Sequence, residues 1–198
     1  MTMLSNIIAI CNQKGGVGKT TTAINLAAAL AGIGKKILIL DLDPQGNAST
    51  GLGIEYSDRS NSIYEVLSNT ISFDEGVKKT NLENLFIIPS NVELSGIEPE
   101  LANENDKAFV LKSLMYNSDS INKYDYIFID CPPALSLLTV MAMTAANSVL
   151  VPLQCEFFAL EGLSQLIKTV DRVHKNLNPS LSIDGIILTM FDKRNKLS

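Results

Sequence analysis

The residues with the plainest chemical purpose run Lys14-Gly15-Gly16-Val17-Gly18-Lys19-Thr20-Thr21. Glycine at positions 15, 16 and 18 lets backbone N–H groups approach an anion that a Cβ would hold off. A helix starting near Lys19 would aim its own unsatisfied N–H groups at the same anion. Lys19 then supplies a point charge to the β and γ phosphates of a nucleoside triphosphate, and the Thr20 hydroxyl is placed to ligate Mg²⁺. Val17 and Thr21 complete the loop around the phosphates. Each charge-assisted contact of this kind contributes about 1.5 to 3 kcal/mol. The ligand these residues imply is ATP with Mg²⁺.

Two further stretches carry carboxylates. Leu40-Asp41-Leu42-Asp43-Pro44-Gln45-Gly46-Asn47 closes an apolar run, and so puts two acids at the strand ends where ligands bind in open α/β sheets. Strand alternation is read here as sending Asp41 and Asp43 to opposite faces, and the residues alone make one of the two catalytic without choosing between them. Tyr124-Asp125-Tyr126-Ile127-Phe128-Ile129-Asp130-Cys131-Pro132-Pro133 is an apolar strand ending in an acid, and Asp130 is expected to hold Mg²⁺ through a water.

The elements that must position these groups are legible as short runs rich in Ile, Leu and Val. Strands are expected at Ile7 to Cys11, Ile37 to Leu40, Leu85 to Ile88, Tyr126 to Ile129, Ser148 to Val151 and Ile183 to Leu188. Their apolar character is continuous rather than alternating, as a mainly parallel sheet covered on both faces requires. Helices are expected at Thr20 to Ala31, Ala108 to Ile121, Ser136 to Ala146 and Ala159 to Leu177, which gives an α/β, doubly wound fold. Gly51 to Asn84 reads as connecting structure with one short helix, Ile63 to Leu67. With no repeat or linker, residues 1–198 form a single domain.

Composition sets bounds on the rest. At 46% hydrophobic and 19% charged residues, the chain is too apolar to be disordered. A net charge of -5 gives the body no general attraction to nucleic acid or anionic lipid, so such binding needs a local basic patch. Cys11, Cys131 and Cys155 show no metal-site spacing and read as reduced thiols in a core. The first thirteen residues carry no Lys or Arg, so a secretory signal is not expected and the cytoplasm is. The uncharged stretch from Cys131 to Cys155 is broken by Pro132, Pro133, Asn147, Ser148 and Pro152, and reads as a buried helix and strand rather than a membrane span.

The loop departs from G-x-x-x-x-G-K-[ST] at its first position, where Gln13 stands. Its form, K-G-G-x-G-K-[ST], resembles the deviant Walker A group of P-loop ATPases, which includes the ParA/Soj partition proteins and MinD. Pro152-Leu153-Gln154-Cys155-Glu156-Phe157-Phe158-Ala159-Leu160-Glu161-Gly162 and Leu188-Thr189-Met190-Phe191-Asp192 narrow the resemblance to ParA/Soj. That resemblance implies a doubly wound P-loop domain in which MgATP drives a sandwich homodimer. The dimer binds DNA nonspecifically, near the nucleoid, until slow hydrolysis stimulated by a ParB-type partner releases it.

Residue by residue, the resemblance implies that Lys14 reaches the partner's nucleotide in trans and that Asp43, in the Asp-Pro-Gln match, orients the attacking water. It places Asp41 nearer Mg²⁺, the Pro132-Pro133 turn as a γ-phosphate sensor, Glu156 at a ribose across the dimer and Met190 near adenine. Family members continue for several tens of residues past the match to Arg194-Asn195-Lys196-Leu197-Ser198, where this sequence stops. The further part supplies some of the adenine pocket, a final helix and much of the basic DNA surface. Lys193, Arg194 and Lys196, with the helical stripe Lys168, Arg172 and Lys175, are the basic candidates within this sequence. His174, beside the stripe, reads as a surface residue.

Three rival readings stand beside this one. A MinD-like membrane-associated positional ATPase needs a C-terminal amphipathic helix, and the sequence shows none. A metabolic enzyme or iron–sulfur reductase of the same fold is the second, against which Cys131 directly follows Asp130 and no second cysteine matches the cluster ligands of that relative. The third is a truncated, inactive ParA remnant that folds without dimerising or binding DNA.

Overall fold

The computed structural model describes residues 5–155 and 159–192. In chain order the strands are β1 (Asn6–Ile10), β2 (Ile37–Asp41), β3 (Lys78–Lys79), β4 (Leu85–Ile88), β5 (Tyr126–Asp130), β6 (Ser148–Gln154) and β7 (Ser182–Thr189). The helices are α1 (Lys19–Gly32), α2 (Asn47–Gly51), α3 (Ile63–Leu67), α4 (Phe73–Gly76), α5 (Ile97–Glu100), α6 (Val110–Tyr116), α7 (Leu137–Ala145) and α8 (Ala159–Asn176).

The strands form one sheet in the order β3-β4-β2-β5-β1-β6-β7, parallel throughout except for the β3–β4 pair. Continuous apolar strands arise because each face of the sheet has its own core. On one face Ile7 and Ala9 of β1, Leu38 and Leu40 of β2, and Ile127 and Ile129 of β5 pack with Leu111, Met115, Leu138 and Met141 from α6 and α7. On the other, Ile10, Ile37, Ile39 and Phe128 pack with Ala23, Ala27 and Ala31 of α1. The alanines recur every four residues, so one face of α1 is small enough to lie close against the strands.

The mainly parallel, doubly wound sheet matches the expectation from sequence, with β6 longer than expected and running through Pro152. The expected helix at Ala108 to Ile121 is corrected: α6 covers only Val110–Tyr116, between short 3-10 turns at Lys107–Phe109 and Ile121–Lys123. Ser118 and Ser120 donate their hydroxyls, and Asp119 its backbone N–H, to the Asp74 carboxylate. Local bonds of this kind compete with the helical pattern and end it.

The Gly51 to Asn84 stretch holds α3 as expected, and also α4 and the two-residue β3. Ser62 with Glu65 and Ser72 with Glu75 each form a reciprocal capping box, which starts these helices despite weak apolar periodicity. Lys78 and Lys79 make β3 a charged sheet edge, with no apolar run to announce it. At the opposite edge β7 leaves Ile183, Ile186, Ile187 and Leu188 exposed, followed by exposed Met190 and Phe191.

Candidate nucleotide site at the sheet edge

β1 is flanked by β5 and β6, so the chain leaving its C-terminal end emerges between two other strand ends. Asn12 secures that exit: its Nδ2 donates to the Pro152 carbonyl at 2.7 Å, and its Oδ1 accepts from the Lys14 amide at 3.0 Å. Gly16 (φ 75°) and Gly18 (φ 86°) both take left-handed backbone. Around Gly16 no atom would crowd a Cβ, so the backbone angle, rather than lack of space, calls for glycine. The buried Val17 turns inward, and its carbonyl accepts the Thr189 hydroxyl at 2.8 Å, tying the loop to the end of β7. Gly18 is the N-cap of α1 and no side chain caps that terminus, so its first N–H groups face the loop.

A cavity of about 590 Å³ opens over the loop, bordered by Gly15, Gly16, Gly18, Lys19, Thr20 and Thr21 on one side and by Asp43, Pro133 and Met190 on others. Lys19 is only 7% exposed, and its Nζ donates to the Lys14 carbonyl at 3.1 Å. Burial lowers its pKa, and the nearby Asp130 and Asp43 charges oppose that shift. Lys14 does not border this cavity. It lies on a neighbouring depression of about 460 Å³ with Gln13, Pro133, Glu161, Gly162 and Gln165.

The three carboxylates end up in three different situations. Asp41 and Asp130 are register partners at the ends of β2 and β5, and both are fully buried. Asp41 is saturated: its Oδ2 accepts from the Ser49 amide at 2.8 Å and the Ser49 hydroxyl at 2.7 Å, and its Oδ1 from the Asp43 amide at 3.3 Å. Burial nonetheless raises its pKa to about 6. Asp130 has no donor within hydrogen-bonding distance of either oxygen. Burial first, and the Asp41 charge second, raise its pKa to about 7, and the Thr20 hydroxyl lies near enough to offset part of the rise without forming a full bond. Asp43 alone of the three borders the cavity, with Oδ1 accepting from the Gln45 amide at 3.0 Å.

The expectation that Asp41 and Asp43 face opposite sides is corrected. Alternation puts residues two apart on the same face, and although β2 ends at Asp41, Leu42 continues the alternation by packing into the core on the α6–α7 side while the Asp43 amide bonds back to Asp41 Oδ1. Met190 borders the cavity with φ 53° and is 61% exposed. Glu156, with Phe157 and Phe158, lies outside the described residues, as do Lys193, Arg194 and Lys196. His174 is exposed, as are Lys168, Arg172 and Lys175.

Asn12, Ser49 and Ser90 were not legible as site residues. The Ser90 amide donates to the Ser49 hydroxyl, which donates to Asp41. No spacing rule links positions 41, 49 and 90, whereas an Asn just before a glycine-rich loop could have been recognised as a turn former. Cys11 and Cys131 are free, buried thiols with Sγ atoms 3.2 Å apart, and the pairing with Cys11 together with burial pushes the Cys131 thiol well above its usual pKa. Cys155 is free and half-buried.

The sequence model of the AAA domain family matches residues 5–183. The chromosome partitioning protein ParA of Caulobacter vibrioides is 52% identical over 97% of this chain and 72% of that protein. The sporulation initiation inhibitor protein Soj of Bacillus subtilis is 50% identical over 98% of this chain and 76% of its own. The chain belongs to the ParA/Soj family of ATPases. Among solved structures, cobyrinic acid a,c-diamide synthase from Mycobacterium smegmatis, with a bound ATP analog and magnesium, superposes with a TM-score of 0.91 at 37% identity, covering 96% of this chain and 75% of that one.

The residues of this ParA/Soj-family ATPase fit the nucleotide and metal that the family uses. Two buried carboxylate oxygens without donors at Asp130, beside a threonine hydroxyl, suit a hard divalent cation, because oxygen ligands and negative charge are what Mg²⁺ requires. Thr20 and Asp130 would hold the ion, which when bound draws charge from the transferring phosphoryl group. Uncapped N–H groups and Lys19 suit the triphosphate.

Metal-free protein should show a pH signature. The folded-state pKa of Asp130 is raised from 3.8 to about 7, so between those values the folded state binds more protons than the unfolded one. The Asp130 contribution to stability is therefore full at low pH and is lost as pH rises toward 7. Asp130→Asn is expected to flatten that fall, an effect on the order of a few kcal/mol, and thermal melts of metal-free protein from pH 5 to pH 8 check it. A mutant that loses stability across this range as steeply as wild type would assign the dependence to other groups.

Proposed function

We propose that this chain is a partition ATPase switch. MgATP closes a sandwich homodimer, the dimer holds DNA nonspecifically, and slow hydrolysis stimulated by a ParB-type, centromere-bound partner releases it. Chromosome or plasmid copies separate as a result, in the cytoplasm at the nucleoid. The observation that carries the reading is the placement of the two loop lysines. Lys19 borders the chain's own nucleotide cavity, whereas Lys14 borders the adjacent depression. A second copy docked on that face would bring a second triphosphate to the depression that Lys14 borders. ATP then drives dimerisation because the γ-phosphate adds contacts that exist only in the dimer, which is the differential affinity any such switch needs.

Within the site, Asp43 orients the attacking water, Thr20 and Asp130 hold Mg²⁺, and Met190 lies near adenine. Asp43 suits its role because it is the carboxylate at the cavity wall, while Asp41 is occupied by Ser49. Glu156 contacts ribose across the dimer. The exposed stripe Lys168, Arg172 and Lys175 along α8 supplies phosphate contacts to DNA. No helix among the described residues is long and apolar enough to cross a membrane.

Light scattering tests the trans role. Wild type should move from monomer to dimer with MgATP, and Lys14→Ala should lose the dimer while its monomer still binds nucleotide. Dimers that persist in Lys14→Ala would rule the role out. A gel-shift titration on random-sequence DNA should show an ATP-dependent shift that weakens steeply with salt. The similarity to a diamide synthase raises a second reading, ATP-driven amide formation. Hydrolysis that responds to a carboxylic acid and an amide donor, and not to DNA and a ParB-type protein, would favour it.

A further inference from the structure

Arg59 is 6% exposed, and no role yet described uses it. Its guanidinium donates to the Ile54 carbonyl from Nε at 3.1 Å and Nη2 at 2.8 Å, and to the Thr50 hydroxyl from Nη2 at 2.7 Å. Nη1 donates to the carbonyls of Gly46 at 3.3 Å and Ser90 at 3.4 Å. All of these acceptors are neutral. A buried cation held by neutral dipoles, with the Tyr56 ring 5.9 Å from its guanidinium carbon as its one further contact among the described residues, is expensive compared with an apolar side chain of similar volume, so its retention calls for a reason beyond filling space. The planar fork supplies one, because its donors are fixed in direction and can lock several segments in one relative position.

The segments it joins surround Asp43. The Gly46 amide donates to the Asp43 carbonyl at 2.9 Å, closing the Asp43–Gly46 turn. The Gly46 carbonyl accepts from Arg59, from the Thr50 amide at 3.0 Å and from the Thr50 hydroxyl at 3.1 Å. Gly46 has φ 61°, and a Cβ there would run into Arg59 Nη1 and meet the Ser90 carbonyl at 3.0 Å. The turn is therefore drawn onto the guanidinium as closely as glycine permits. Ser90, gripped by Arg59 through its carbonyl, grips Ser49 through its amide, and Ser49 saturates Asp41.

We propose that Arg59 is a positioning residue for hydrolysis: its fork clamps the Asp43–Gly46 turn to α2 and to the end of β4, and so fixes the Asp43 carboxylate at the cavity wall. This rests on the reading of Asp43 as the group that orients water. Misplacing such a group by about an ångström can cost on the order of a hundred-fold in rate.

The test uses Arg59→Met, Arg59→Lys, Thr50→Val and Asp43→Ala, with single-turnover hydrolysis, MgATP affinity and hydrogen exchange at the Gln45, Gly46 and Thr50 amides. Arg59→Met should slow hydrolysis about ten- to a hundred-fold, change affinity less than about three-fold, and speed exchange at those amides. Arg59→Lys, which keeps the charge without the fork, should recover little of the rate. Thr50→Val, which removes one acceptor, should show a smaller loss of the same kind and answers the question if Arg59→Met does not fold. Wild-type hydrolysis in both Arg59→Met and Thr50→Val with Asp43→Ala inactive would overturn the clamp alone. Full turnover in Asp43→Ala would instead overturn the reading of Asp43 beneath it. Rate and affinity falling in equal proportion would make Arg59 a purely structural residue and also overturn the proposal.

Discussion

Lys19→Ala should lower MgATP affinity by roughly ten- to more than a hundred-fold, the equivalent of one strong charge-assisted contact of about 1.5 to 3 kcal/mol or more. The reason lies in how the side chain is held. Lys19 is almost wholly buried, is directed by the Lys14 carbonyl at 3.1 Å, and stands close enough to Asp130 and Asp43 to feel both charges. A preplaced cation costs the site little further ordering when a triphosphate arrives. Removing it also takes a positive charge from beside Asp130, whose pKa is already raised to about 7, so the residual binding should become more dependent on pH near neutrality. Calorimetric titration at pH 6.5 and pH 8 checks both effects. Unchanged affinity in well-folded Lys19→Ala would mean the phosphates sit elsewhere.

Asp43→Ala carries the other large expectation. Turnover should fall by about 10² to 10⁴, the usual worth of a positioned carboxylate that handles a proton or orients a nucleophile. MgATP binding should change little, because Asp43 borders the cavity and belongs to neither the phosphate loop nor the Thr20–Asp130 pair. Under the proposed cycle, in which hydrolysis ends the dimer, the variant should therefore accumulate as ATP-loaded dimer in light scattering. Asp41→Ala should behave differently. Its oxygens bind Ser49 and the Asp43 amide, so its loss should appear chiefly as lower stability. Measured side by side, the two variants separate a group acting on water from a group holding the loop that carries it. Retained turnover in Asp43→Ala would move the hydrolytic role to another residue.

What the sequence determined by itself is local. Three glycines, a lysine and a threonine in one short loop define an anion site wherever that loop lies, because left-handed backbone at Gly16 and Gly18 and an uncapped helix start at Lys19 depend on residue type and immediate neighbours. Six apolar runs likewise marked six of the seven strands, because the inner strands are buried on both faces and tolerate no polar alternation, whereas β7 is apolar yet largely exposed and β3 carries no apolar run. Even α3 was legible in a weakly periodic stretch, although the capping boxes that start it and α4 were not read from the sequence.

The tertiary structure decided the surroundings of each carboxylate. Asp41, Asp43 and Asp130 are chemically alike in the sequence. They differ only because Ser49 reaches one, the cavity reaches another, and nothing donates to the third. The same holds for Arg59, whose Ser90 acceptor is 31 residues away, and for Lys14 and Lys19, five positions apart in one loop yet bordering different spaces. Side-chain direction and desolvation at a site are set by which distant segments pack beside it, and residue type alone does not encode that neighbourhood.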